Sequence, residues 1–331
     1  MQRWRGLEAA PGDLGRTVVT VGMYDGVHRG HQKLIGAAVA RARALRRPCL
    51  LLTFDPHPAE VVRPGSHPAI LTSMDRKAEL VAELGVDAMC VLPFTQEFMR
   101  LSPETFTHTV LVEHLHAAQV VVGENFTYGH RAAGTVATLA DEGRRFGFAV
   151  EGVELANVSM EVDSADDGPG TDTVSISSTY VRACVAAGDM VPAARALGRP
   201  HRVDGVVVRG HRRGRALGYP TANVETPPFT AIPADGVYAG YLVTRDPDSG
   251  TPGRFPAAIS VGTNPTFQGS RRTVEAYLLD YDGDLYGEHV GVEFIQQLRP
   301  MAAFPDADAL VQAMDKDVMD TRTVLGLPPD A

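Results

Sequence analysis

The first half of the chain alternates short apolar runs with segments whose apolar residues recur every three or four positions. The apolar or β-branched runs predict strands at residues 17–21, 49–54, 88–92 and 119–122. After His31, the helical spacing is carried by Leu34, Ile35, Ala38, Val39 and Ala42. Because fully apolar strands separated by helices are typical of a parallel sheet covered on both faces, we expect an α/β fold whose ligands bind beyond the carboxyl ends of the strands.

Further helices are predicted after Ser73 and from Ser102, where a capping residue is followed by proline at the first helical position. The second half of the chain has a different pattern. Its predicted strands are separated by Gly, Pro and Asp turns without a helix-length pattern between them, and they lie at residues 203–208, 236–243, 257–261, 274–279 and 290–294. This pattern indicates an antiparallel barrel or sandwich.

One helix is predicted to close the chain. Its shared apolar face comprises Leu310, Val311, Met314, Val318 and Leu325. Two unlike architectures in series predict two domains, with the boundary between residues 186 and 202, after a helical segment at 180–187. We therefore divide the chain into domains at residues 1–188 and 189–331.

Composition and charge exclude several classes of protein. The chain has 331 residues, and its 31 Lys and Arg against 40 Asp and Glu give a net charge of −9, which argues against a general nucleic-acid or membrane binder but leaves room for a local cationic pocket. Its three cysteines are widely spaced and odd in number, so neither a disulfide scaffold nor a structural zinc site is expected. Without a signal-like or membrane-spanning apolar stretch, we expect a cytoplasmic protein.

The densest chemistry of the first half follows the first predicted strand, in Gly22-Met-Tyr-Asp-Gly-Val-His-Arg-Gly-His31. Glycines that lead into a helix start provide free amides and the positive end of a helix dipole, which together favour a phosphate. His28 and His31 at that opening can stabilise charge that builds on a phosphate during transfer. The segment lacks the Lys-Ser/Thr of a P-loop and the GxGxxG of a dinucleotide fold. Metal ligation is an alternative, although no third ligand is evident.

The His-x-Gly-His pattern resembles the signature of nucleotidyltransferases related to class I aminoacyl-tRNA synthetases. Ile176-Ser-Ser-Thr-Tyr-Val-Arg182 resembles the second motif of these enzymes, and the segments at 123–129 and 53–58 are similar to those of bacterial FAD synthetases. The resemblance implies a Rossmann-like nucleotidyltransferase domain with His28 and His31 as catalytic residues and Phe54 as a flavin contact. It implies ATP binding by Gly22, Asp25, Gly30, Asn125, Ser178, Thr179 and Arg182. Taken alone, Asn125 is more typical of a turn and Phe54 of a packed core.

The densest segment of the second half is Arg213-Gly-Arg-Ala-Leu-Gly-Tyr-Pro-Thr-Ala-Asn223. Glycine and arginine can wrap a phosphate chain, while Thr221 and Asn223 supply hard oxygen donors for Mg²⁺, which commonly uses few protein ligands. Arg209, Arg212 and their neighbours offer a different interpretation, an RNA-binding patch. The acidic balance of the chain and the lack of interleaved aromatic residues disfavour it.

Gly-Tyr-Pro-Thr-Ala-Asn resembles the fingerprint of riboflavin kinases, and the likeness extends to Val274-Glu-Ala-Tyr and on to Arg299. The resemblance implies that Glu275 is the catalytic base and that Thr221 and Asn223 bind the metal. It implies ATP binding by Gly210, Gly214, Arg215 and Gly218. Without the surrounding likeness, Glu275 would be interpreted as a strand glutamate paired with an arginine. Arg299 is a candidate flavin contact that could equally cap a surface.

In their order along the chain, these motifs resemble the bifunctional riboflavin kinase/FMN adenylyltransferases of prokaryotes. The resemblance implies a transferase that makes FMN from riboflavin and then FAD from FMN, with ATP as co-substrate, Mg²⁺ as cofactor and neither nucleic acid nor membrane as partner, as a monomer or weak homo-oligomer. A riboflavin kinase with an inactive first domain is the alternative. Met23-Tyr24 and Ser175 depart from the usual motifs. A pantetheine- or nicotinamide-type adenylyltransferase would not explain Pro-Thr-Ala-Asn.

Overall fold

The computed structural model describes residues 1–65, 67–155, 159–163, 171–210, 218–245, 252–266 and 269–328. By its internal contacts the chain forms two units, the first comprising Met1–Pro68 and Met74–Ile176 and the second comprising Ala69–Ser73 and Ser177–Ala331. The division by contacts precedes the expected domain boundary at residue 188. Two segments of the expected first domain fall in the second unit: Ala69–Ser73, and the stretch from Ser177 that contains the helix Ser178–Ala187. This helix packs against the one that follows it, Met190–Leu197.

The strands of the first unit are, in chain order, β1 (Gln2–Arg5), β2 (Thr17–Val21), β3 (Cys49–Asp55), β4 (Ala88–Pro93), β5 (Ala117–Gly123), β6 (Thr127–Tyr128), β7 (Gly134–Thr135), β8 (Ala149–Val153), β9 (Ser159–Asp163) and β10 (Thr171–Ser175). Among the described residues, a six-stranded parallel sheet has the order β1-β4-β3-β2-β5-β8. β6 pairs with β7 and β9 with β10 as separate antiparallel ladders. The predicted parallel sheet is confirmed.

Helices cover both faces of this sheet. They are α1 (Arg29–Leu45), α2 (Pro58–Val62), α3 (Met74–Glu83), α4 (Pro103–Phe106), which continues into a π-helical stretch at Thr107–His114, and α5 (Val136–Phe146). Val18 of β2 packs in one apolar cluster with Ile35 of α1 and Val81 of α3. Val19 points to the opposite face and packs in a second cluster with Leu111. Alternation along one strand therefore supplies two cores, as a doubly covered sheet requires.

The second unit is built on strands β11 (His201–Val208), β12 (Thr221–Glu225), β13 (Gly236–Arg245), β14 (Pro252–Thr266), β15 (Gly269–Leu278) and β16 (His289–Pro300). In the described part of this unit they close an antiparallel barrel in the order β11-β12-β15-β14-β13-β16. The fold is thus a barrel and not a sandwich, because β11 pairs with both β12 and β16. The helices in the described residues of this unit are α6 (Ser178–Ala187), α7 (Met190–Leu197) and α8 (Ala307–Leu325).

The terminal helix α8 packs against β13, β14 and β16. It begins at Asp306, whose side chain accepts a hydrogen bond from the Ala309 amide at 2.8 Å. The predicted apolar face is only half-buried, and the residues of α8 that are fully buried are Asp317, Thr321 and Arg322. Hydrogen bonds therefore contribute to docking this helix as well as apolar contact.

The remaining expectations about the chain concern its thiols and its helices. Cys49, Cys90 and Cys184 are buried and unbridged, as their spacing predicts. None of the helices in the described ranges is both long enough and apolar enough to cross a lipid bilayer.

Candidate active sites

The segment between β2 and α1 is held in one conformation by Tyr24. The residue has a left-handed backbone with φ of 50°, and its side chain is 1% exposed. Its hydroxyl lies 2.6 Å from the hydroxyl of Thr20, and a Cβ atom on Gly22 would lie 3.0 Å from its ring. Burial raises the pKa of Tyr24 far above its ordinary range, so the phenol stays protonated. Tyr24, which departs from the usual motif, thus adds a hydroxyl that is hydrogen-bonded to Thr20.

His28 and His31 lie together at the start of α1. Their rings stack with centroids 3.7 Å apart and an interplanar angle of 20°. His28 is the N-cap of the helix, and its Nδ1 accepts a hydrogen bond from the His31 amide at 3.3 Å. Gly30 lets the two rings pack closely, because a Cβ atom there would lie 3.1 Å from the His28 ring. Two imidazoles and the positive end of a helix dipole therefore share one location, which suits an anion.

The Met23 carbonyl oxygen is bound from two sides. The Thr53 hydroxyl donates to it at 3.3 Å from the end of β3, and the Lys77 ammonium donates to it at 2.8 Å from α3. Lys77 is 3% exposed, and burial lowers its pKa to about 8 although Asp25 and Asp55 act in the opposite direction. Sequence reasoning missed Lys77, because a single lysine in an amphipathic helix gives no sign that it is buried.

Other predicted residues follow the neighbouring strands of the sheet. β3, β2 and β5 are adjacent and parallel, so Phe54, Gly22 and Asn125 lie at or just beyond the same edge, as predicted for a ligand site in such a sheet. Asn125 is exposed in the turn after β5. Phe54 is half-buried and contacts the rings of Phe94 at 5.7 Å and Phe98 at 5.6 Å between centroids. It therefore belongs to an aromatic cluster that still has an open side.

The predicted ATP residues Ser178, Thr179 and Arg182 lie at the start of α6, which belongs to the second unit. The helix is capped by Ser177, whose hydroxyl accepts from the Tyr180 amide at 3.2 Å. The Nε of Arg182 donates to the Ala69 carbonyl at 2.7 Å. Arg182 also lines a cavity of about 740 Å³ within this unit. Its role toward ATP stays a prediction.

The barrel brings four predicted residues of the second site together. Asn223 of β12 is paired directly with Glu275 of β15, and Thr221 lies on the same face of β12 because it is two residues away. The Thr221 hydroxyl donates to Glu275 Oε2 at 3.3 Å. A Cβ atom on Gly210 would overlap with the Asn223 amide, so any larger residue there would move this amide. Glu275 is half-buried with a threonine as its partner, unlike a surface glutamate paired with arginine.

The remaining predicted residues of the barrel divide into three cases. Gly214 and Arg215 lie outside the described residues. Gly218 has φ of +89°, a backbone conformation that side chains disfavour, and it precedes Tyr219, whose hydroxyl bonds to Asp315 of α8. Arg299 forms two hydrogen bonds to Asp317, from Nε at 2.8 Å and from a terminal nitrogen at 2.7 Å. Arg299 therefore fixes α8, and the sequence did not indicate this partner.

A metal at this second site would depend on few protein ligands, all of them oxygen donors. Within the described ranges, no group of three or more His, Cys, Asp or Glu side chains is arranged to hold a metal ion. The Thr221 hydroxyl, the Asn223 amide and the Glu275 carboxylate instead gather hard oxygens on one face of the barrel wall. This donor set fits Mg²⁺, which binds few protein oxygens and relies on phosphates and water for the rest.

Comparison with known proteins covers most of the chain. Residues 11–165 match the family described as FAD synthetase, and residues 197–325 match the family described as riboflavin kinase. A Pseudomonas fluorescens protein named bifunctional riboflavin kinase/FMN adenylyltransferase is 35% identical over 325 residues, which are 98% of each chain. A protein of the same name from Listeria monocytogenes is 34% identical over 308 residues, covering 92% of this chain and 91% of its own.

Comparison with solved structures also finds a likeness over nearly the whole chain. A crystal structure from Streptococcus pneumoniae, described as a macrolide-efflux protein, is 29% identical and superposes with a TM-score of 0.81, covering 97% of this chain and 99% of its own. The likeness spans both units of the chain, so the order of sheet and barrel is shared with that protein.

Proposed function

The chain belongs to the family of bifunctional riboflavin kinase/FMN adenylyltransferases, and from this membership we propose where each of its two reactions takes place. The enzyme transfers the γ-phosphoryl group of ATP to riboflavin, giving FMN and ADP, and then transfers AMP from a second ATP to FMN, giving FAD and pyrophosphate. The alternative of a riboflavin kinase with an inactive first domain is not favoured, because the FAD synthetase match covers most of the first unit.

The kinase reaction is assigned to the barrel, with Glu275 as its general base. The carboxylate accepts the proton of the riboflavin 5′-hydroxyl as that oxygen attacks the γ-phosphorus, and the bond between the γ-phosphorus and the bridging oxygen breaks to release ADP. The observation that carries this assignment is the position of Glu275, which is opposite Asn223 and within 3.3 Å of Thr221. The hydrogen bond from Thr221 orients the carboxylate.

We propose Mg²⁺ as the cofactor of this site, held by Thr221 and Asn223. When bound, the ion neutralises charge on the phosphates of ATP. Gly210 leaves the room that the Asn223 amide occupies, and Gly218 gives the turn before β12 its left-handed backbone. We assign Gly210 and Gly218 to the binding of ATP. We assign Gly214 and Arg215, which lie outside the described residues, to the same role.

The adenylyltransfer reaction is assigned to the loop between β2 and α1. A phosphate oxygen of FMN attacks the α-phosphorus of ATP, and the bond from this phosphorus to the oxygen of the β-phosphate breaks, so pyrophosphate leaves without a covalent enzyme intermediate. His28 and His31 donate hydrogen bonds to the phosphate oxygens on which charge increases. The amides at the start of α1, with Gly22, Asp25, Gly30 and Asn125 around them, bind the ATP.

The flavin of this reaction is assigned to the open side of the Phe54 cluster. Phe54 is the next-to-last residue of β3, which lies beside β2 in the sheet, so an isoalloxazine ring stacked there would keep its phosphate near the loop. For the kinase we retain Arg299 as a candidate flavin contact. We further propose a cytoplasmic enzyme that binds ATP, riboflavin and FMN but not nucleic acid, in keeping with its net charge of −9.

The assignment is tested by separating the flavins formed from riboflavin, ATP and Mg²⁺ by three proteins. The wild type accumulates both FMN and FAD. Glu275→Gln slows riboflavin phosphorylation by roughly 10²- to 10⁴-fold but converts supplied FMN to FAD at the wild-type rate. The double variant of His28→Ala and His31→Ala shows the reverse. If both variants remain folded and both lose both steps, the division between the two sites is wrong.

A further inference from the structure

Lys77 is the buried cation that the proposed mechanism leaves unused. It lies in α3 with Ala78, Leu80 and Val81, all of which are buried. Its Nζ is 2.8 Å from the carbonyl oxygen of Met23, the second residue of the loop that leads to His28 and His31. The side chain of Lys77 therefore reaches the backbone of the proposed ATP loop from α3, although Lys77 is about fifty positions away from the loop in the sequence.

The choice of lysine at this position contrasts with the rest of the chain. Only three of the 31 basic residues are lysines, at positions 33, 77 and 316. Lys33 and Lys316 are exposed, and Lys77 is 3% exposed. An ammonium is compact and directs three donors from one atom, whereas a guanidinium is broad and planar. The compact ammonium of Lys77 can therefore donate to the single carbonyl oxygen of Met23 from a buried position, whereas most basic residues of this chain are arginines.

The positive charge of Lys77 interacts with two carboxylates of opposite charge. Asp25, in the same loop, and Asp55, at the end of β3, both favour the charged form of Lys77, while burial disfavours it. Asp25 is itself 3% exposed, and Asp55 also pairs with Arg5 at 3.2 Å. An ATP loop that holds a buried aspartate would repel phosphates unless a cation offsets that charge. Lys77 supplies such a cation and fixes the loop backbone with the same atom.

We propose that Lys77 is a positioning residue for adenylyltransfer: it holds the Met23 carbonyl and offsets the charge of Asp25, so that the loop presents its amides and histidines to the ATP phosphates. This inference rests on the proposed placement of adenylyltransfer at that loop. Lys77 does not contact the reacting atoms in this role. Its loss therefore weakens ATP binding and slows the reaction together.

The test uses the full-length protein and the conversion of FMN to FAD. Lys77→Met removes the charge and the donors at similar volume, and Lys77→Gln restores a neutral donor. We expect Lys77→Met to raise KM for ATP and lower kcat, with kcat/KM reduced by about 10²-fold, and Lys77→Gln to recover part of this loss. The riboflavin kinase activity of the same samples stays within about twofold of wild type. The control variant Lys316→Met, at an exposed position of α8, keeps both activities within about twofold of wild type.

Thermal unfolding separates positioning from a purely structural role. A residue that serves only the fold lowers the unfolding temperature when it is replaced by methionine, and a neutral glutamine at the same buried place restores neither stability nor KM. That result would overturn the inference, as would wild-type KM and kcat in Lys77→Met. The double histidine variant is assayed beside it. If that variant keeps adenylyltransfer, the placement of the reaction fails. If it loses the reaction while Lys77→Met keeps it, only the inference about Lys77 fails.

Discussion

Gly210 lies directly against the side-chain amide of Asn223, close enough that no Cβ atom fits between them. Gly210→Ala therefore forces the side-chain amide of Asn223 to move, while the pairing of β12 with β15 is unaffected. We expect kcat/KM for riboflavin phosphorylation to fall by about tenfold or more, while adenylyltransfer is unchanged. Steady-state kinetics of the two reactions measure this directly.

Gly36→Ala is the matched control for that substitution, because nothing lies within 4 Å of a Cβ atom at position 36 of α1. It should leave both activities unchanged and stabilise α1 by about 0.5–1 kcal/mol. Wild-type kinase activity in Gly210→Ala would show that the position of the Asn223 amide does not matter for the reaction.

Gly30→Ala tests the stacked histidines. The added methyl group would lie 3.1 Å from the His28 ring, so the ring or the helix start must shift by a few tenths of an ångström. With His28 as the proposed phosphate contact, we expect this shift to lower kcat/KM for adenylyltransfer by about tenfold. Riboflavin kinase kinetics on the same sample provide the control, and an unaltered rate of FAD formation would argue against a role for the His28 ring orientation.

The pair of Arg299 and Asp317 offers a test that separates docking of α8 from flavin binding. The side chain of Asp317 is 8% exposed and that of Arg299 is 26% exposed, so breaking the pair should cost about 1–3 kcal/mol of unfolding free energy. We expect Asp317→Asn and Arg299→Met to lower stability equally in denaturant unfolding. If Arg299 also contacts the flavin, only Arg299→Met raises KM for riboflavin beyond this shared effect. An equal rise in both variants would remove Arg299 from the flavin site.

The buried ammonium of Lys77 makes stability depend on pH in a defined direction. Its pKa is about 8 in the folded protein against an ordinary value of 10.5. Between these values the unfolded chain binds more protons than the folded chain, so the free energy of unfolding rises with pH, by at most about 3 kcal/mol. This rise is absent from Lys77→Met. Urea unfolding of both proteins at pH 7.5 and about pH 10 measures the difference, and parallel curves would show that Lys77 does not titrate in this window.

The strands that sequence predicted well are those with uninterrupted apolar residues. The bounds of β2 are the predicted ones because all five of its residues are buried. β1 was missed because it is an edge strand in which only Trp4 is buried among Gln2, Arg3 and Arg5. β12 was missed because Thr221, Ala222 and Asn223 are all half-buried, so the usual alternation of buried and exposed positions is absent.

The candidate site residues, like the strands, could be proposed from sequence only where a local pattern marks them. Residues carried by short motifs, such as His28, His31, Thr221 and Asn223, were predicted because their spacing along the chain is itself the signal. Lys77 acts through the carbonyl of a residue that is distant in sequence, and Arg299 acts through Asp317 on another element. Such partners are fixed by tertiary packing, which no local pattern encodes.

Closure of the barrel has a consequence for how the protein is made. The ring depends on the pairing of β11 with β16, in which His201 lies opposite Phe294, so nearly a hundred residues must follow β11 out of the ribosome before the ring can close. Until then β11 presents a bare edge in the nascent chain. We therefore expect the riboflavin kinase unit to depend more on chaperones during synthesis than the first unit does. We also expect it to be the unit that premature termination harms most.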